Sequence, residues 1–394
     1  MDEQGTLSQE EEEEQADGKS GRKLATKRLR LTRKNLARFD KMGNDHLDST
    51  DSADVDCDMS LGSTKTISAS SSAFFLQARK NGVHIDGESP APANHGARRK
   101  RAARSRGTPS PTASEHGRFV KKIRKAGNEA TVTVQFCQDV LKSASSEDYA
   151  ASFNRAFTGL PQNLGFNDGL SAPQPDFVAG TVMESYLPFA VDEYLSGAVL
   201  YKEDPYSVTL AHLAGEWKGP NIDLDKATRQ GGYDGAALVY ARHQALSYLG
   251  KPDPPSHAEV TTFTANGKAL EFYSHYRAQT EDGAGALDYH QHREASYDLR
   301  EFDQYKAGRR HFRNVQDDAE DESRALRDQL KEHWRQQQQR LRRRLVGRRG
   351  GSKRTASRLR GQRESPPLTR SRARKQTAGQ LNKVTKRAGR SNRK

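Results

Sequence analysis

Three charged residues on two short apolar runs have the types and spacing of a metal-dependent site for phosphodiester cleavage. Asp176 opens one run, and Glu216 and Lys218 stand two residues apart on another. Because alternate side chains of a strand share one face, Glu216 and Lys218 are expected to point the same way, with Trp217 in the opposite packing layer. If Asp176 lies on a neighbouring strand, two carboxylates can bind a hard cation and the ammonium can orient a water. The sequence therefore predicts a Mg²⁺ or Mn²⁺ site with Asp176 and Glu216 as ligands.

Only part of the 394-residue chain has the composition of a folded domain. Hydrophobic residues make up 33% of it and charged residues 29%, a balance that leaves long segments without a core. The two cysteines, Cys57 and Cys137, exclude a disulfide framework and a cysteine-rich zinc site and fit a reducing compartment. No apolar run approaches the roughly 20 residues that span a bilayer. We therefore expect one folded domain with long tails and no membrane partner.

The net charge of +14 is concentrated outside the central part of the chain. Residues 342–394 carry 20 Lys plus Arg against one acid, whereas residues 128–300 carry 12 basic and 23 acidic residues. An acidic domain with cationic arms suggests a cation-using site combined with a polyanion anchor. Nucleic acid is the expected partner of these arms, with binding that weakens steeply as salt rises and shows little sequence preference.

The first 118 residues are predicted to be largely disordered, acidic and then basic. Basic clusters at residues 22–34 and 98–106 are typical of nuclear localisation signals or nucleic-acid patches, although such runs also merely solubilise a chain. We expect nuclear residence and binding to a nuclear import receptor. The Thr-Pro-Ser-Pro sequence at residues 108–111 offers two hydroxyl groups whose phosphorylation would offset adjacent cations.

An apolar segment at residues 73–83 interrupts this region. It contains the adjacent Phe74 and Phe75 and ends at Asn81-Gly82, a pattern typical of a short helix with a glycine at its end. Two adjacent phenylalanines need a surface to cover them. We therefore expect this segment to dock on the main domain.

The main domain is predicted to span residues 119–316. Spacing favours a first helix from residue 132 through 157, a buried strand at 177–182, and a second strand at 208–216 after an insertion at 187–208. A long helix should follow from residue 223, and its glycines imply close approach to the sheet, a distorted turn or room for a ligand.

The end of this domain is marked by a hairpin and a further helix. Asn266-Gly267 lies between two alternating runs, which is a strong two-residue hairpin signal. Beyond residue 297 the spacing is helical again, with apolar residues able to pack back on the domain. Residues 317–345 are predicted to form a charged, solvated helix and residues 346–394 a disordered basic tail.

Pro175-Asp176 and Glu216-Trp217-Lys218, followed by a helix with Gln230, resemble the motif of the PD-(D/E)XK nuclease superfamily. The surrounding sequences APQPDF, LAGEWKGP and YDGAALVYAR are also similar to a group of fungal proteins assigned to that fold, over roughly residues 132–276. The resemblance implies a restriction-endonuclease-like mixed sheet flanked by helices. It also implies that Asp176 and Glu216 bind the metal and that Lys218 assists the water or the leaving group. Gln230 would orient these groups.

Other residues leave alternatives open. Members of this superfamily often use a further acid from the first helix, for which Glu147 and Asp148 are candidates. Gln230 and Asp234 would equally satisfy backbone groups at a helix N-terminus. The pair His290 and His292 has a spacing that can bind a metal, although a polar hairpin edge explains it better. His212 and His243 fit no metal-ligand spacing.

Two functions are consistent with this pattern. One is a Mg²⁺-dependent nuclease that hydrolyses phosphodiesters in DNA or RNA, with basic tails that bind the phosphate backbone. The other is a catalytically inactive protein of the same fold, in which the charged residues form an ion pair and a turn cap and the basic arms bind nucleic acid or chromatin.

Overall fold

The computed structural model of the chain describes residues 66–142, 146–280 and 287–360, with residues 346–360 described as backbone. In chain order the elements are α1 (Phe74–Lys80), β1 (Val83–His84), α2 (His95–Ala103), α3 (Ala113–Arg124), α4 (Glu129–Asp139), β2 (Tyr149–Phe153), β3 (Phe177–Val182), α5 (Val191–Tyr194), β4 (Val208–Trp217), α6 (Asp225–Tyr248), β5 (Val260–Ala265), β6 (Ala269–Gln279), β7 (Leu287–Asp298) and α7 (Phe302–Arg360). The predicted α/β class is confirmed.

The seven strands form one mixed sheet in the order β1-β7-β6-β5-β4-β3-β2. The neighbours β4 and β5 run parallel, which requires a crossover connection, and α6 provides it. The strands β2, β3 and β4 are antiparallel to one another in turn, as are β5, β6 and β7. β1 pairs with β7 in parallel at the opposite edge. The predicted mixed sheet flanked by helices is therefore present.

Helices cover both faces of this sheet. α1 and α6 pack on one face, where the rings of Phe74 and Tyr233 meet edge to face with centroids 5.4 Å apart. α3, α4 and α7 pack on the other face around an aromatic cluster that includes Phe136, Phe263 and Phe312. Strands β3, β4 and β5 are consequently buried along their whole length. Among the described helices, none has both the length and the apolarity needed to cross a membrane.

Residues 66–118 belong to the folded body, which corrects the prediction that the first 118 residues are largely disordered. α1 docks on the sheet and buries Phe74, in agreement with the expectation for residues 73–83. β1 extends the sheet, and α2 packs against α7. Residues 1–65, including the first basic cluster, lie outside the described residues.

The second basic cluster is largely neutralised within the fold. The guanidinium of Arg98 is buried against Glu294, with Nε 2.5 Å from Oε1. The other pairs, given by their shortest N–O distances, are Arg101–Glu259 at 2.8 Å, Arg104–Asp318 at 2.7 Å and Arg106–Asp317 at 2.5 Å. The partners are 150 or more residues away in sequence, so a composition argument alone could not find them.

Two strands depart from the predicted elements. The first helix, α4, ends at Asp139 instead of continuing to residue 157, and Tyr149–Phe153 form the edge strand β2. Pairing with β3 decides this segment, because strand formation depends on neighbours more than on local propensity. β7 was not predicted as a strand, since its sequence LDYHQHREASYD is polar on both faces.

α7 is partly buried where a solvated helix was predicted for residues 317–345. A stripe of side chains at four-, three- and four-residue spacing is buried along it: Ala319, Ser323, Leu326 and Leu330. This spacing places them on one helix face. The leucines pack with the insertion at 187–208 and with the end of α6. Helix α7 also continues through residue 360, into the segment predicted as a disordered tail, and residues 361–394 lie outside the described part.

The glycines of α6 are explained by close approach to the sheet. A Cβ at Gly235 would lie 2.3 Å from Nδ1 of His275, and one at Gly232 would lie 2.7 Å from the side chain of Ile85. Both values are far inside van der Waals contact. Only a helix with no side chain at these turns can lie this near to β6 and β1, and Asp234 stands between the two glycines.

We expect Gly235→Ala to lower the free energy of unfolding by about 1–3 kcal/mol, because the methyl group would overlap the buried ring of His275. The matched control is Gly117→Ala in α3, where nothing lies within 4 Å of the added Cβ. That change should raise stability by roughly 0.5–1 kcal/mol through helix propensity. Urea unfolding measures both. Stabilisation by both substitutions would contradict the close packing of α6.

Candidate active site

The antiparallel pairing of β3 with β4 brings two of the predicted site residues together. Phe177 is opposite Gly215 in the ladder, so Asp176 and Glu216, one step further along each strand, are neighbours. Asp176 Oδ2 accepts a hydrogen bond of 2.8 Å from the backbone N–H of Trp217. This bond fixes the Asp176 carboxylate beside β4, and the proline before it donates no competing N–H.

Lys218 lies at the centre of the charged groups. Its Nζ is 3.2 Å from Glu216 Oε2, 3.8 Å from Asp176 Oδ2 and 4.0 Å from Glu129 Oε2. The ammonium also donates a 2.8 Å hydrogen bond to the carbonyl of Trp217. Three carboxylates therefore surround the ammonium group of Lys218, a residue that is 9% exposed.

The alternation predicted for this strand is observed. Glu216 faces Asp234 of α6, and Lys218 Nζ lies 3.2 Å from Glu216. The indole of Trp217 lies in the opposite layer and packs edge to face on Phe263, with centroids 5.3 Å apart. Phe136 and Phe177 contact the same indole. The aromatic layer thus holds the backbone of β4 rigidly and thereby fixes the side chains on its other face.

Glu129 is a site residue that was not predicted from the sequence. It is the first residue of α4, whose N-cap Asn128 accepts a 2.9 Å hydrogen bond from the N–H of Thr131. That cap fixes where the helix begins and therefore where Glu129 points. The Asn-Glu pair before an apolar run was the available signal. The prediction instead placed the acid of the first helix at Glu147 or Asp148.

Glu147 and Asp148 lie outside this cluster. Asp148 forms ion pairs with Arg324, at 3.2 Å, and with Arg327 of α7. Burial opposes its ionisation, but hydrogen bonds from Ser146 and Arg327 outweigh that effect and lower the pKa of Asp148 to about 2. Asp148 therefore anchors α7 to the segment that leads into β2.

Asp234 of α6, for which the sequence left a site role and a helix N-terminal role equally open, is the partner of Glu216. Glu216 and Asp234 are 1% and 2% exposed, respectively. Burial, followed by the negative charges of Asp234 and Asp176, raises the pKa of Glu216 well above its ordinary value. Burial and the charge of Asp176 likewise raise the pKa of Asp234. The two carboxyl groups therefore retain a proton to higher pH than isolated carboxylates do.

Two oxygen atoms of this pair are buried without a hydrogen-bond partner in the described structure, Glu216 Oε1 and Asp234 Oδ2. Buried carboxylate oxygens are normally satisfied, and an oxygen-ligated divalent cation satisfies them well. The donor set of Asp176, Glu216 and Asp234 therefore fits Mg²⁺ or Mn²⁺. Gln230 lies one helical turn before Asp234, and its Oε1 is also buried and unpaired within the described residues.

Neighbouring charges also shift the pKa values of Lys218 and Glu129. Burial works against the charge of Lys218, but Glu216, Asp176 and Glu129 outweigh it and raise the pKa of the ammonium. Burial raises the pKa of Glu129, with Asp176 adding to the effect and Lys218 opposing it. Asp176 and Glu129 are the more open members, with side chains 23% and 47% exposed. The cluster therefore has a buried carboxyl pair, Glu216 and Asp234, on one side and a solvent-exposed edge, formed by Asp176 and Glu129, on the other.

The histidines noted in the sequence have structural partners. His212 Nδ1 lies 2.9 Å from Ser323 Oγ, and Arg242 donates to His212 Nε2 at 2.9 Å. Burial lowers the pKa of His212 to about 3, so the ring is neutral. His292 Nδ1 lies 2.8 Å from the carbonyl of Ser89, and His243 lies 3.3 Å from Ser247.

Among the residues that the structure describes, His84, Asp288 and His290 have ligand atoms close enough to share a metal ion. The rings of His84 and His290 stack with centroids 4.6 Å apart and planes at 5°, and Tyr276 stacks on the other side of His290. Nitrogen lone pairs of parallel rings point in parallel directions and do not converge. This group is therefore a cross-strand ring stack, and it is separate from the carboxylate cluster.

Comparison of the chain with protein-family models, with curated proteins and with solved structures gave no match. The fold and the geometry of the charged cluster are consequently the basis for any functional conclusion.

The raised pKa values predict a pH effect on the stability of the metal-free protein. The folded state holds the Glu216–Asp234 proton more tightly than the unfolded state, so stability should fall as pH rises from the ordinary carboxyl range towards the raised pKa values. Asp234→Asn removes one of the two coupled groups and should flatten this decline. Thermal unfolding in a metal chelator from pH 5 to pH 8 measures it, with about 2–4 °C expected per kcal/mol.

Asp148→Asn is the matched control with the opposite sign. The pKa of Asp148 is lowered in the folded protein, so its contribution is present above the ordinary pKa and is lost as pH falls towards 2. Its variant should be destabilised equally at pH 5 and pH 8. A pH-independent offset for Asp234→Asn as well would contradict the raised pKa values of Glu216 and Asp234.

Proposed function

We propose that this protein is a Mg²⁺- or Mn²⁺-dependent nuclease that hydrolyses phosphodiester bonds in nucleic acid. One observation carries the proposal: the carboxylates of Glu129, Asp176 and Glu216 surround the ammonium of Lys218 within 4.0 Å. The restriction-endonuclease-like relationship of the PD-(D/E)XK type is part of the same proposal. It is supported by the order β3, β4, α6, β5 and by an acid at the start of the first helix.

The residues divide the chemistry between them. Asp176 and Glu216 would hold the metal ion, with Asp234 against Glu216 on the buried side. When bound there, the ion supplies Lewis-acid polarisation of a phosphoryl oxygen and a lower pKa for an attacking water. Lys218 orients that water and offsets negative charge that develops on the phosphoryl group.

Glu129 and Gln230 act at the periphery. The Glu129 carboxyl is half-exposed and has a raised pKa, which brings it nearer to the working pH of a general base. It is therefore suited to accept the proton of the attacking water. Gln230, one turn before Asp234, is assigned the role of orienting the buried pair.

Nucleic acid is the substrate that the basic tail and an exposed aromatic ring favour. The tail beyond residue 360 carries eleven Lys plus Arg, which would neutralise phosphates along a backbone. Phe153 on the edge strand is 49% exposed, lies 13° from coplanar with Trp217, and is followed by Asn154, whose N–H bonds to the carbonyl of Asp176. This ring lies in the layer of Trp217, on the other face of the sheet from Glu216, where it is available to stack on a base. Nuclear residence through the basic segments, with an import receptor as partner, belongs to the same proposal.

The second candidate is a nuclease-fold scaffold without catalysis, which binds nucleic acid or chromatin. The closeness of Lys218 to Glu216 favours it, because a 3.2 Å buried pair can be an ion pair with a purely structural role. Removing one partner of such a pair costs about 3–5 kcal/mol. In this case the Lys218 variants would unfold and no form of the protein would cleave.

We expect Asp176→Asn and Glu216→Gln to lower cleavage of plasmid and single-stranded substrates by at least about 100-fold in Mg²⁺ or Mn²⁺. Both replacements keep the shape of the side chain, so circular dichroism should remain that of the folded protein. Glu147→Gln is the matched control, because this exposed acid lies outside the cluster. It should cleave like the wild type.

Binding of Mn²⁺, followed by electron paramagnetic resonance, separates the two candidate functions. Loss of Mn²⁺ binding and of cleavage in the same two variants supports the enzyme. If all forms, including the wild type, bind nucleic acid equally and none cleaves it, the enzyme is excluded and the scaffold function is supported.

Truncation after residue 360 should weaken nucleic-acid binding and make it less dependent on salt. The shortened chain lacks eleven cationic residues. For every phosphate that it no longer neutralises, the slope of log K against log salt should become shallower by about 0.7–0.9. Fluorescence anisotropy between 50 and 200 mM salt measures this slope. An unchanged slope would show that the tail does not contact the phosphate backbone.

A further inference from the structure

A cationic cavity of about 280 Å³ lies between the α2–α3 loop and the first turns of α7. Four basic side chains of α7 line one side of it, and two hydroxyl-bearing residues line the other. They are Lys306, Arg309, Arg310 and Arg313, and Thr108 and Ser110. We call this the α7 cavity. No part of it includes the carboxylate cluster around Lys218.

The three arginines of the α7 cavity are not neutralised by carboxylates. Arg309 and Arg313 donate hydrogen bonds of 2.9 and 3.0 Å to two backbone carbonyls at the C-terminal end of α4. Within the described residues, no carboxylate lies within 4 Å of these two guanidinium groups or of Arg310, whereas Lys306 pairs with the exposed Asp303 at 2.7 Å. Carbonyl oxygens satisfy N–H groups without removing the positive charge.

Burial and neighbouring cations act together, with Asp317 opposing them, on the guanidinium of Arg313. Burial, followed by the charges of Arg309 and Arg106, lowers its pKa to about 10. A cation that is destabilised by other cations gains most from an added anion. Phosphate is the biological anion that arginine binds best, through two parallel N–H···O bonds.

Thr108 and Ser110 present their hydroxyl groups for modification. Both are exposed, and both lie in the irregular loop between Ala103 and Ala113. Each is followed by a proline, which disfavours helical backbone in the residue before it and keeps that residue extended. No hydrogen bond within the described residues engages either hydroxyl. An exposed, extended hydroxyl is what a protein kinase requires of its substrate.

The loop is tethered close to the cavity. Arg106, two residues before Thr108, binds Asn314 Oδ1 at 2.7 Å and Asp317 Oδ2 at 2.5 Å on α7. At the other end, Thr112 closes the N-terminus of α3 with a capping box to Glu115. Both ends of the segment are therefore fixed, and the two hydroxyls stay within reach of the α7 cations.

We propose that Thr108 and Ser110 are phosphorylation sites and that a phosphate on either of them binds in the α7 cavity. The donor is a nucleoside triphosphate, used by a separate proline-directed kinase. The side-chain oxygen attacks the γ-phosphorus, the bond from that phosphorus to the nucleoside diphosphate breaks, and the hydroxyl proton passes to the kinase. The resulting phosphomonoester cross-links the α2–α3 loop to α7 by charge-assisted hydrogen bonds.

The test uses the full chain treated with a proline-directed kinase and ATP. Mass spectrometry locates the phosphates, and Thr108→Ala and Ser110→Ala assign their ³¹P NMR signals. A phosphate in the α7 cavity should have a second pKa at least about one unit below its usual value near 6, because neighbouring cations favour the dianion. The comparison protein is the double variant Lys306→Gln, Arg310→Gln. It retains Arg309 and Arg313 with their bonds to α4, so the second pKa of its phosphate should lie between the value in the wild type and the usual value.

A second arm separates the covalent phosphate from a free phosphate or a nucleic-acid backbone. Inorganic phosphate should bind the unmodified protein and lose at least about tenfold in affinity in the double variant, since a point charge is removed at each position. The phosphorylated protein should not bind it there. Equal binding of inorganic phosphate before and after phosphorylation, an unshifted ³¹P pKa, or no incorporation at either residue would each overturn the proposal.

Discussion

The burial of Glu216 between β4 and α6 is the constraint on which the carboxylate cluster depends. A carboxyl group that is 1% exposed loses most of its hydration, so the fold must supply a counter-charge, a proton or a metal ion. Lys218 supplies the first at 3.2 Å, and the coupling to Asp234 supplies the second. Adding a cation would displace the proton and satisfy the two unpaired oxygens. Glu216, Lys218 and Asp234 therefore compensate one another in the metal-free protein, and under the proposed function the two carboxyl groups also receive the metal ion.

Placing Asp234 against Glu216 requires α6 to lie unusually near the sheet. Gly232 and Gly235 flank Asp234 and permit this approach, because a methyl group at either position would collide with a neighbour. On the opposite face of the sheet, large side chains fill the space instead. There the bulky Trp217 and Phe263 fill the layer below β4 and β5. Small residues above the strand and large ones below it hold Glu216 at a fixed depth.

The parts of this arrangement that were readable from sequence are those encoded over short distances. Alternation at residues 216–218 predicted that Glu216 and Trp217 face opposite layers, and Asn266-Gly267 predicted the turn between β5 and β6. Glu129 was not identified and the role of Asp234 was left open, because both roles arise from where two helices contact β4 and not from neighbours in sequence. The folded state of residues 66–118 depends on contacts such as Arg98 with Glu294, which no local pattern contains. The relationship to PD-(D/E)XK nucleases and the chemistry of the cluster stay predictions.

The effect of a charged residue in this protein depends on the groups with which it pairs. The run of acids and bases along α7 has the composition of a solvated helix, yet Asp317 and Asp318 neutralise arginines of the second basic cluster, and arginines of α7 bind Asp148. These pairs fix α7 across the sheet and carry no excess charge. The first turns of α7 are different, because Arg309 and Arg313 bind carbonyl oxygens and keep their charge. Basic residues that pair with carboxylates within the fold have a structural role. The α7 cavity holds positive charge that is positioned but not neutralised, and it is there that an added anion can change the protein.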